Sequence, residues 1–124
     1  MQYMLLIYGN EEGMKTATPG DREAMFKAYG EFTASIVKSG NMKAGDALQA
    51  TATATTVRVR DGKTLTTDGP FAETKEQLGG YYLVEAKDLD EASKIAARIP
   101  GARMGSIEVR PVMPMPADYP RPKV

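Results

Sequence analysis

The first pattern in this chain is a nearly continuous apolar run at residues 2–8, which Gly9 ends. A run this short, rich in tyrosine and aliphatic side chains, predicts a strand buried on both faces. Both faces carry apolar side chains: Met4, Leu6 and Tyr8 on one, and Tyr3, Leu5 and Ile7 on the other. Because side chains alternate across a strand, each face needs a partner that covers it.

Two later stretches repeat apolar residues at the period of an amphipathic helix. The first begins at Thr18, a typical N-cap followed by proline, and ends near Gly40, a typical C-terminal cap. The second begins at Asp88, with Glu91 expected to complete a capping box, and is ended by Pro100. The apolar faces consist of Met25, Tyr29, Phe32 and Ile36 in the first helix, and of Leu89, Ala92, Ile95, Ala96 and Ile99 in the second.

The pattern between and after these helices predicts strands. Val57 and Val59 alternate with arginines before Asp61-Gly62, a dipeptide typical of a two-residue hairpin turn. Residues 63–67 supply the second strand of this hairpin. Single strands are predicted at residues 42–48, 81–86 and 106–110, and residues 9–17 are predicted to form a loop.

The predicted order is strand, helix, strand, hairpin, strand, helix, strand. Two βαβ-type units around an inserted hairpin are typical of an α+β fold of the ferredoxin-like βαββαβ type. Residues 1–112 form this domain, and the proline-rich residues 113–124 form a C-terminal tail that is either a surface arm or disordered. Two helices cover only one face of such a sheet, so we expect the second face to pack against a second copy of the chain in a homodimer.

The composition excludes several kinds of chemistry. Lys and Arg number 16, as do Asp and Glu, so the formal net charge is zero and neither nucleic acid nor an anionic membrane is indicated as a partner. The chain has no Cys and no His, which removes disulfides, thiolate nucleophiles and the commonest metal ligands, and we expect no metal or cofactor. Neither a signal peptide nor an apolar run of membrane-spanning length is evident, which favours a soluble cytoplasmic protein.

Residues 68–80, here called the signature segment, are the best candidate for a functional site. Charged side chains surround one aromatic residue in this segment: Asp68, Glu73, Lys75 and Glu76 around Phe71. In a functional interpretation, Asp68 or Glu73 is a catalytic acid–base group, and Phe71 and Lys75 line a pocket. In a structural interpretation, Asp68 bonds the backbone of its own turn, Phe71 anchors the segment in the core, and the other charges are solvated.

Other residues carry similar alternatives. Tyr29 is a candidate to line the pocket, although aromatic residues at helical spacing are more often part of the core. Asp46, at the end of the predicted second strand, is a second carboxylate that could approach Asp68 and contribute to binding. Gly79-Gly80 precedes a strand, so it predicts a strand-entry bulge or a close backbone contact and not a phosphate-binding loop. The hairpin arginines share one face, where they bind an anionic ligand or protect a sheet edge from aggregation.

The signature segment begins Asp68-Gly69-Pro70-Phe71, continues with Ala-Glu-Thr-Lys and ends with Gly79-Gly80. This motif resembles that of the DGPF proteins, a branch of the YCII-related family, and the resemblance runs from Met1 to about Val112. It implies a dimeric α/β barrel of ferredoxin-like subunits. Asp68 matches the aspartate of the family motif, which makes it the first candidate for a site residue.

The family resemblance leaves two functions open. One family member is similar to a dehydrochlorinase of chlorinated hydroxyquinols, and the proposed family active site is a His–Asp pair, which this histidine-free chain cannot form. Some DGPF proteins are linked with extracytoplasmic-function sigma factors. The first function is therefore a protein that binds a small polar or aromatic molecule, with lyase or proton-transfer activity. The second is a non-catalytic dimeric regulator in sigma-factor or stress-response signalling.

Overall fold

The structure is a computed structural model that describes residues 1–121. Within that range the order of helices and strands is β1 (Gln2–Gly9), α1 (Glu11–Met14), α2 (Pro19–Lys38), β2 (Met42–Ala47), β3 (Thr55–Arg60), β4 (Lys63–Asp68), β5 (Gln77–Glu85), α3 (Leu89–Ala97) and β6 (Ser106–Pro111). Short 3₁₀ turns at Thr51–Thr53 and Pro100–Arg103 precede β3 and follow α3. This content of helices and antiparallel strands confirms the α+β class.

The strands form two separate antiparallel sheets. One sheet has four strands in the order β2-β5-β1-β6, and the other consists of β3 and β4 alone. In the larger sheet Leu5 pairs with Tyr82 on β5 and with Val109 on β6, so these three side chains share one face. One register shift interrupts the β1–β5 ladder between Ile7 and Tyr8.

One face of the four-stranded sheet packs beneath α2 and α3 and forms the core. Its buried residues are Tyr3, Leu5, Phe32, Ile36, Tyr82, Val84, Ala86, Ala92, Ile95, Ala96 and Ile99. The rings of Phe32 and Tyr82 meet edge to face, 5.2 Å apart. The opposite face is here called the open face, and none of its side chains is fully buried. It carries Met4, Leu6, Ala44, Asp46, Tyr81, Leu83, Glu108 and Arg110.

Both predicted helix starts are confirmed by their capping contacts. The Thr18 hydroxyl accepts a hydrogen bond from the Asp21 amide, and the Asp21 carboxylate accepts one from the Thr18 amide, which lowers the pKa of Asp21. Asp88 caps α3 by accepting a hydrogen bond from the Glu91 amide. The capping box predicted there is incomplete, because the Glu91 carboxylate instead accepts a hydrogen bond from Asn41.

Three details of the predicted pattern are wrong. The predicted loop at residues 9–17 contains α1. Leu89, predicted to belong to the buried stripe of the second helix, is exposed in the first turn of α3. β5 begins at Gln77, so Gly79 and Gly80 lie inside a strand and not at its entry. The bulge predicted there does exist, because the register shift leaves Gly79 without a partner on β1.

The predicted hairpin is confirmed. β3 and β4 are joined by Asp61 and Gly62, whose φ angles of 51° and 75° are those that a type I′ turn requires.

The predicted C-terminal tail runs beside the N-terminus over its described part. Val112, the last residue of the predicted domain, donates its amide hydrogen to the Gln2 carbonyl, and the tail residues Met113 and Met115 line a groove with Met1. Within the tail, the Arg121 guanidinium donates a hydrogen bond to the Met115 carbonyl. Residues 122–124 of this predicted tail lie outside the described residues. No helix within residues 1–121 is long and apolar enough to cross a membrane.

Candidate functional site

The topology brings several predicted site residues to one end of the four-stranded sheet, here called the site end. β1 and β2 finish at this end, and β5 and β6 begin there, as the pairing of Gly9 with Gln77 and of Tyr8 with Ser106 requires. Asp46 is next to the last residue of β2. The hairpin and the signature segment therefore leave the sheet and return to it at the site end.

Asp46 and Tyr81 form a hydrogen-bonded pair at the site end. They are register partners on β2 and β5, so both side chains lie on the open face. Tyr81 Oη donates to Asp46 Oδ2 at 2.7 Å, and this hydrogen bond, together with the charge of Asp46, raises the pKa of the Tyr81 phenol. Asp46 is exposed, and its second carboxylate oxygen has no hydrogen-bond partner within residues 1–121. The pair therefore presents an acceptor to solvent.

The open face provides an apolar surface beside this polar pair. Leu6 on β1 pairs with Tyr81 across the sheet, and Leu83 pairs with Met4 and Ala44. All of these side chains are partly exposed. A carboxylate and a phenol beside apolar side chains suit a small molecule with an apolar or aromatic part and a hydrogen-bond donor.

A second polar group ties the signature segment to α1. The half-buried Glu11 carboxylate accepts hydrogen bonds from the Thr51 amide at 2.9 Å and from the Thr51 hydroxyl at 2.7 Å. The Glu11 amide donates to Gln77 Oε1 at 3.0 Å, and the Gln77 side chain donates to the Thr74 carbonyl. Glu11 thus connects the residues just before the hairpin to the end of the signature segment.

We expect Glu11→Gln to loosen this connection without unfolding the chain. The uncharged side chain is a weaker acceptor and cannot accept from both Thr51 donors as the carboxylate does, and hydrogen bonds to charged groups contribute about 1.5–3 kcal/mol. Hydrogen exchange at the Thr51 amide should therefore become at least about tenfold faster. Glu12→Gln is the matched control, because among the described residues the exposed Glu12 side chain is hydrogen-bonded and ion-paired to Lys15 alone. Equal exchange rates in the two variants would contradict this role for Glu11.

The charged residues of the signature segment differ in their surroundings, because the half-buried Glu76 carboxylate accepts a hydrogen bond from Ser106 Oγ at 2.8 Å. Asp68 is the last residue of β4, and Asp68, Glu73 and Lys75 are all exposed. No hydrogen bond or ion pair of these three side chains exists within the described chain. Phe71 is 78% exposed, and its carbonyl lies 3.5 Å from Arg58 Nη2. The structural interpretation is therefore wrong in three respects. Phe71 does not anchor the segment in the core, Asp68 does not bond its own turn, and Glu76 is half-buried and bonded to Ser106.

Tyr29 lies on the other side of the sheet from Asp46 and Tyr81. It is packed against the core from α2, and its hydroxyl accepts a hydrogen bond from the Gly101 amide at 3.1 Å. Burial raises the pKa of the Tyr29 phenol. Because core side chains fill the space between the helices and the sheet, Tyr29 and Phe71 do not line a common pocket in a single chain.

Grooves outside this region are not lined by any of the predicted site residues. A groove of about 310 Å³ lies between α3 and β6, lined by Ala96, Ala97, Ala102, Ile107 and Val109 among others. Another of about 400 Å³ lies between the N-terminus and the tail, lined by Met1, Met113 and Met115 among others. Within residues 1–121 no group of three or more Asp or Glu side chains could hold a metal ion.

Sequence reasoning missed Glu11 and did not connect Asp46 with Tyr81. Glu11 stands in the segment predicted as a loop, and Thr51 is 40 positions away from it. Asp46 and Tyr81 are 35 positions apart, and only the pairing of β2 with β5 brings them together. No local pattern signals either contact.

Comparisons with known proteins place the chain among relatives over most of its length. A family model described as the YCII-related domain matches residues 1–116. An uncharacterized protein of Rhizobium meliloti (strain 1021) is 36% identical over 114 residues, which cover 90% of this chain and 92% of that protein.

Proposed function

This chain belongs to the YCII-related family, and we propose that it binds a small polar or aromatic molecule on the open face of its sheet, at Asp46 and Tyr81. The observation that carries this proposal is the 2.7 Å hydrogen bond between the exposed Asp46 and the partly exposed Tyr81, beside a partly exposed apolar surface. Neither side chain packs in the core. A pair so arranged is available to a ligand.

The chemistry of the pair defines the ligand. The free Asp46 oxygen accepts a hydrogen bond from a hydroxyl or amide of the ligand, and the Tyr81 ring and Leu6 contact its apolar part. A carboxylate in this position also accepts a proton, so proton transfer or elimination is the reaction class that we propose. Asp68 and Glu73 remain candidates for the catalytic base, and Phe71 and Lys75 for ligand contacts, if a second copy or a ligand orders them.

We also propose that the protein is a homodimer of ferredoxin-like subunits that together form an α/β barrel. The strand order β2-β5-β1-β6 supports the ferredoxin-like description, once the inserted hairpin is set aside. The partly exposed apolar side chains of the open face support the dimer, since this is the sheet face that α2 and α3 leave uncovered.

A thermal-shift screen against hydroxylated aromatics and small organic acids tests the binding proposal. A compound at about a hundred times its dissociation constant adds about 2.7 kcal/mol of stability, which raises the melting temperature by roughly 8–15 °C. We expect Asp46→Asn and Tyr81→Phe to abolish the shift, and the matched control Asp118→Asn, in the exposed tail, to retain it. A shift that survives in both site variants would contradict the proposed site. The absence of any shift would favour the alternative, a non-catalytic regulatory dimer.

A further inference from the structure

The hairpin formed by β3 and β4 gathers positive charge on one of its two sides. Side chains alternate across each strand, and residues paired between the strands share a side. Arg58 and Arg60 of β3 and Lys63 of β4 therefore lie together on one side, here called the cationic side. Val57 and Val59 lie on the other.

The cationic side has no anionic partner among the described residues. Its three charged side chains form no ion pair within residues 1–121. Asp61, in the turn, forms none in this range either. Asp68 lies on the opposite side, because its partner on β3 is Thr55. No carboxylate of the described chain therefore reaches these cations at ion-pair distance.

The register of the hairpin sets two of the cations directly against each other. Arg60 and Lys63 are paired residues, so their Cβ atoms are roughly 4.5–5.5 Å apart. Like charges in this position destabilise a hairpin, whereas an opposite-charge pair would stabilise it. An opposite-charge pair would protect a sheet edge as well as two cations do. The repulsion therefore favours the other interpretation of the hairpin arginines, an anion-binding site, since departures from local stability rules are expected at functional sites.

Apolar side chains accompany the cations. Leu65 is the partner of Arg58 on β4 and shares its side of the hairpin, and it is exposed. Phe71 of the signature segment is also exposed, and its carbonyl oxygen lies 3.5 Å from Arg58 Nη2. Arg58 itself is half-buried. A ligand with an anionic group and an attached ring would meet positive charge and apolar surface at the same place.

We propose that the cationic side of the hairpin binds the phosphate group of a small aromatic phosphate ester. The two guanidinium groups suit phosphate oxygens in bidentate geometry, and Lys63 adds a third positive charge, which favours a doubly charged phosphate over a single carboxylate. Phe71 and Leu65 contact the ring. The bound phosphate removes the repulsion between the two opposed cations. Because the hairpin is a sheet of its own, this binding is independent of the ligand proposed for the open face.

Titration calorimetry of the full chain at low ionic strength tests this site with two probes, phenyl phosphate and inorganic phosphate. We expect phenyl phosphate to bind more tightly, and Arg58→Gln/Arg60→Gln to weaken both probes at least about tenfold. Phe71→Ala should weaken phenyl phosphate about fivefold and leave inorganic phosphate unchanged. Arg22→Gln is the matched control, because it removes an exposed cation of α2 that forms no ion pair within residues 1–121, and it should keep both affinities.

Thermal unfolding of Arg60→Gln provides a second measurement. In phosphate-free buffer we expect this variant to melt no lower than the wild type, because the substitution removes the repulsion with Lys63. Added phenyl phosphate should then raise the melting temperature of the wild type more than that of the variant. A lower melting temperature of the variant without phosphate would overturn the proposal, and so would the absence of binding at millimolar phenyl phosphate or an equal loss of affinity in Arg22→Gln. Equally tight binding of uncharged benzyl alcohol, or far tighter binding of a single-stranded oligonucleotide, would overturn the assignment to a small phosphate ester.

Discussion

Leu5→Ala is expected to lower the free energy of unfolding by about 2–5 kcal/mol, as large-to-small substitutions in protein cores do. Leu5 is completely buried at the centre of β1, under α2 and α3, and shares its face with Tyr82 and Val109. The truncated side chain leaves a cavity that these neighbours cannot fill. Chemical unfolding in urea, with a fitted midpoint and slope, measures the loss. The difference in unfolding free energy between Leu5→Ala and the wild type should be the same at every protein concentration.

Leu6→Ala is the matched control, because Leu6 is the next residue of the same strand and points to the open face. At low protein concentration we expect Leu6→Ala to lower the free energy of unfolding less than Leu5→Ala does, because the Leu6 side chain is already partly exposed. At higher concentration the loss should grow, because the wild type gains stability by dimerisation and the variant gains less. If both variants lost the same free energy of unfolding, and if neither loss changed with protein concentration, the sheet would not be divided into a core face and an interface.

Gly105→Ala is expected to destabilise the protein by about 1–3 kcal/mol or more, because it overpacks a close backbone contact. A Cβ atom at position 105 would lie 2.1 Å from the Tyr8 carbonyl oxygen, far inside van der Waals contact. The obstruction is backbone, so β1 and the start of β6 must separate near the Tyr8–Ser106 pair. Since Tyr8 is also paired to β5 there, we expect the damage to extend to the site end.

Gly13→Ala serves as the control for Gly105→Ala. A Cβ atom there meets no other atom within 4 Å, and Gly13 lies in α1, where alanine is the better helix former by about 0.5–1 kcal/mol. Its stability should therefore be unchanged or slightly higher in urea unfolding. If Gly105→Ala were as stable as this control, the close approach of β1 to the start of β6 would not be a feature of the molecule in solution.

The parts of the fold that the sequence predicts correctly are those set by local signals. Asp61 and Gly62 specify a hairpin turn through backbone preferences alone, and the spacing of Phe32 and Ile36 identifies the buried face of α2. Leu89 fits the same helical spacing and is nevertheless exposed, because burial also depends on which element lies opposite. Glu91 misses its expected capping contact because Asn41, 50 positions away, supplies a competing donor.

The candidate site could be located only in part. The composition and motif of the signature segment drew attention to Asp68 and Phe71, and the structure shows both exposed at the edge of the region. The ordered contact is between Asp46 and Tyr81, and it depends on the register of β2 against β5. The alternation of apolar residues selects the buried face of each strand, but no short turn joins β2 to β5, so the chain between them does not fix which residues are paired.

Sedimentation of the unmodified full chain at micromolar concentration tests most directly whether the open face is a functional surface that a second copy covers. We expect a single species with twice the 13.4 kDa mass of one chain. On dilution, that species should dissociate into monomers of lower stability. A monomer throughout the micromolar range would contradict the proposed dimer, because the apolar side chains around Asp46 and Tyr81 would then face solvent in the working protein.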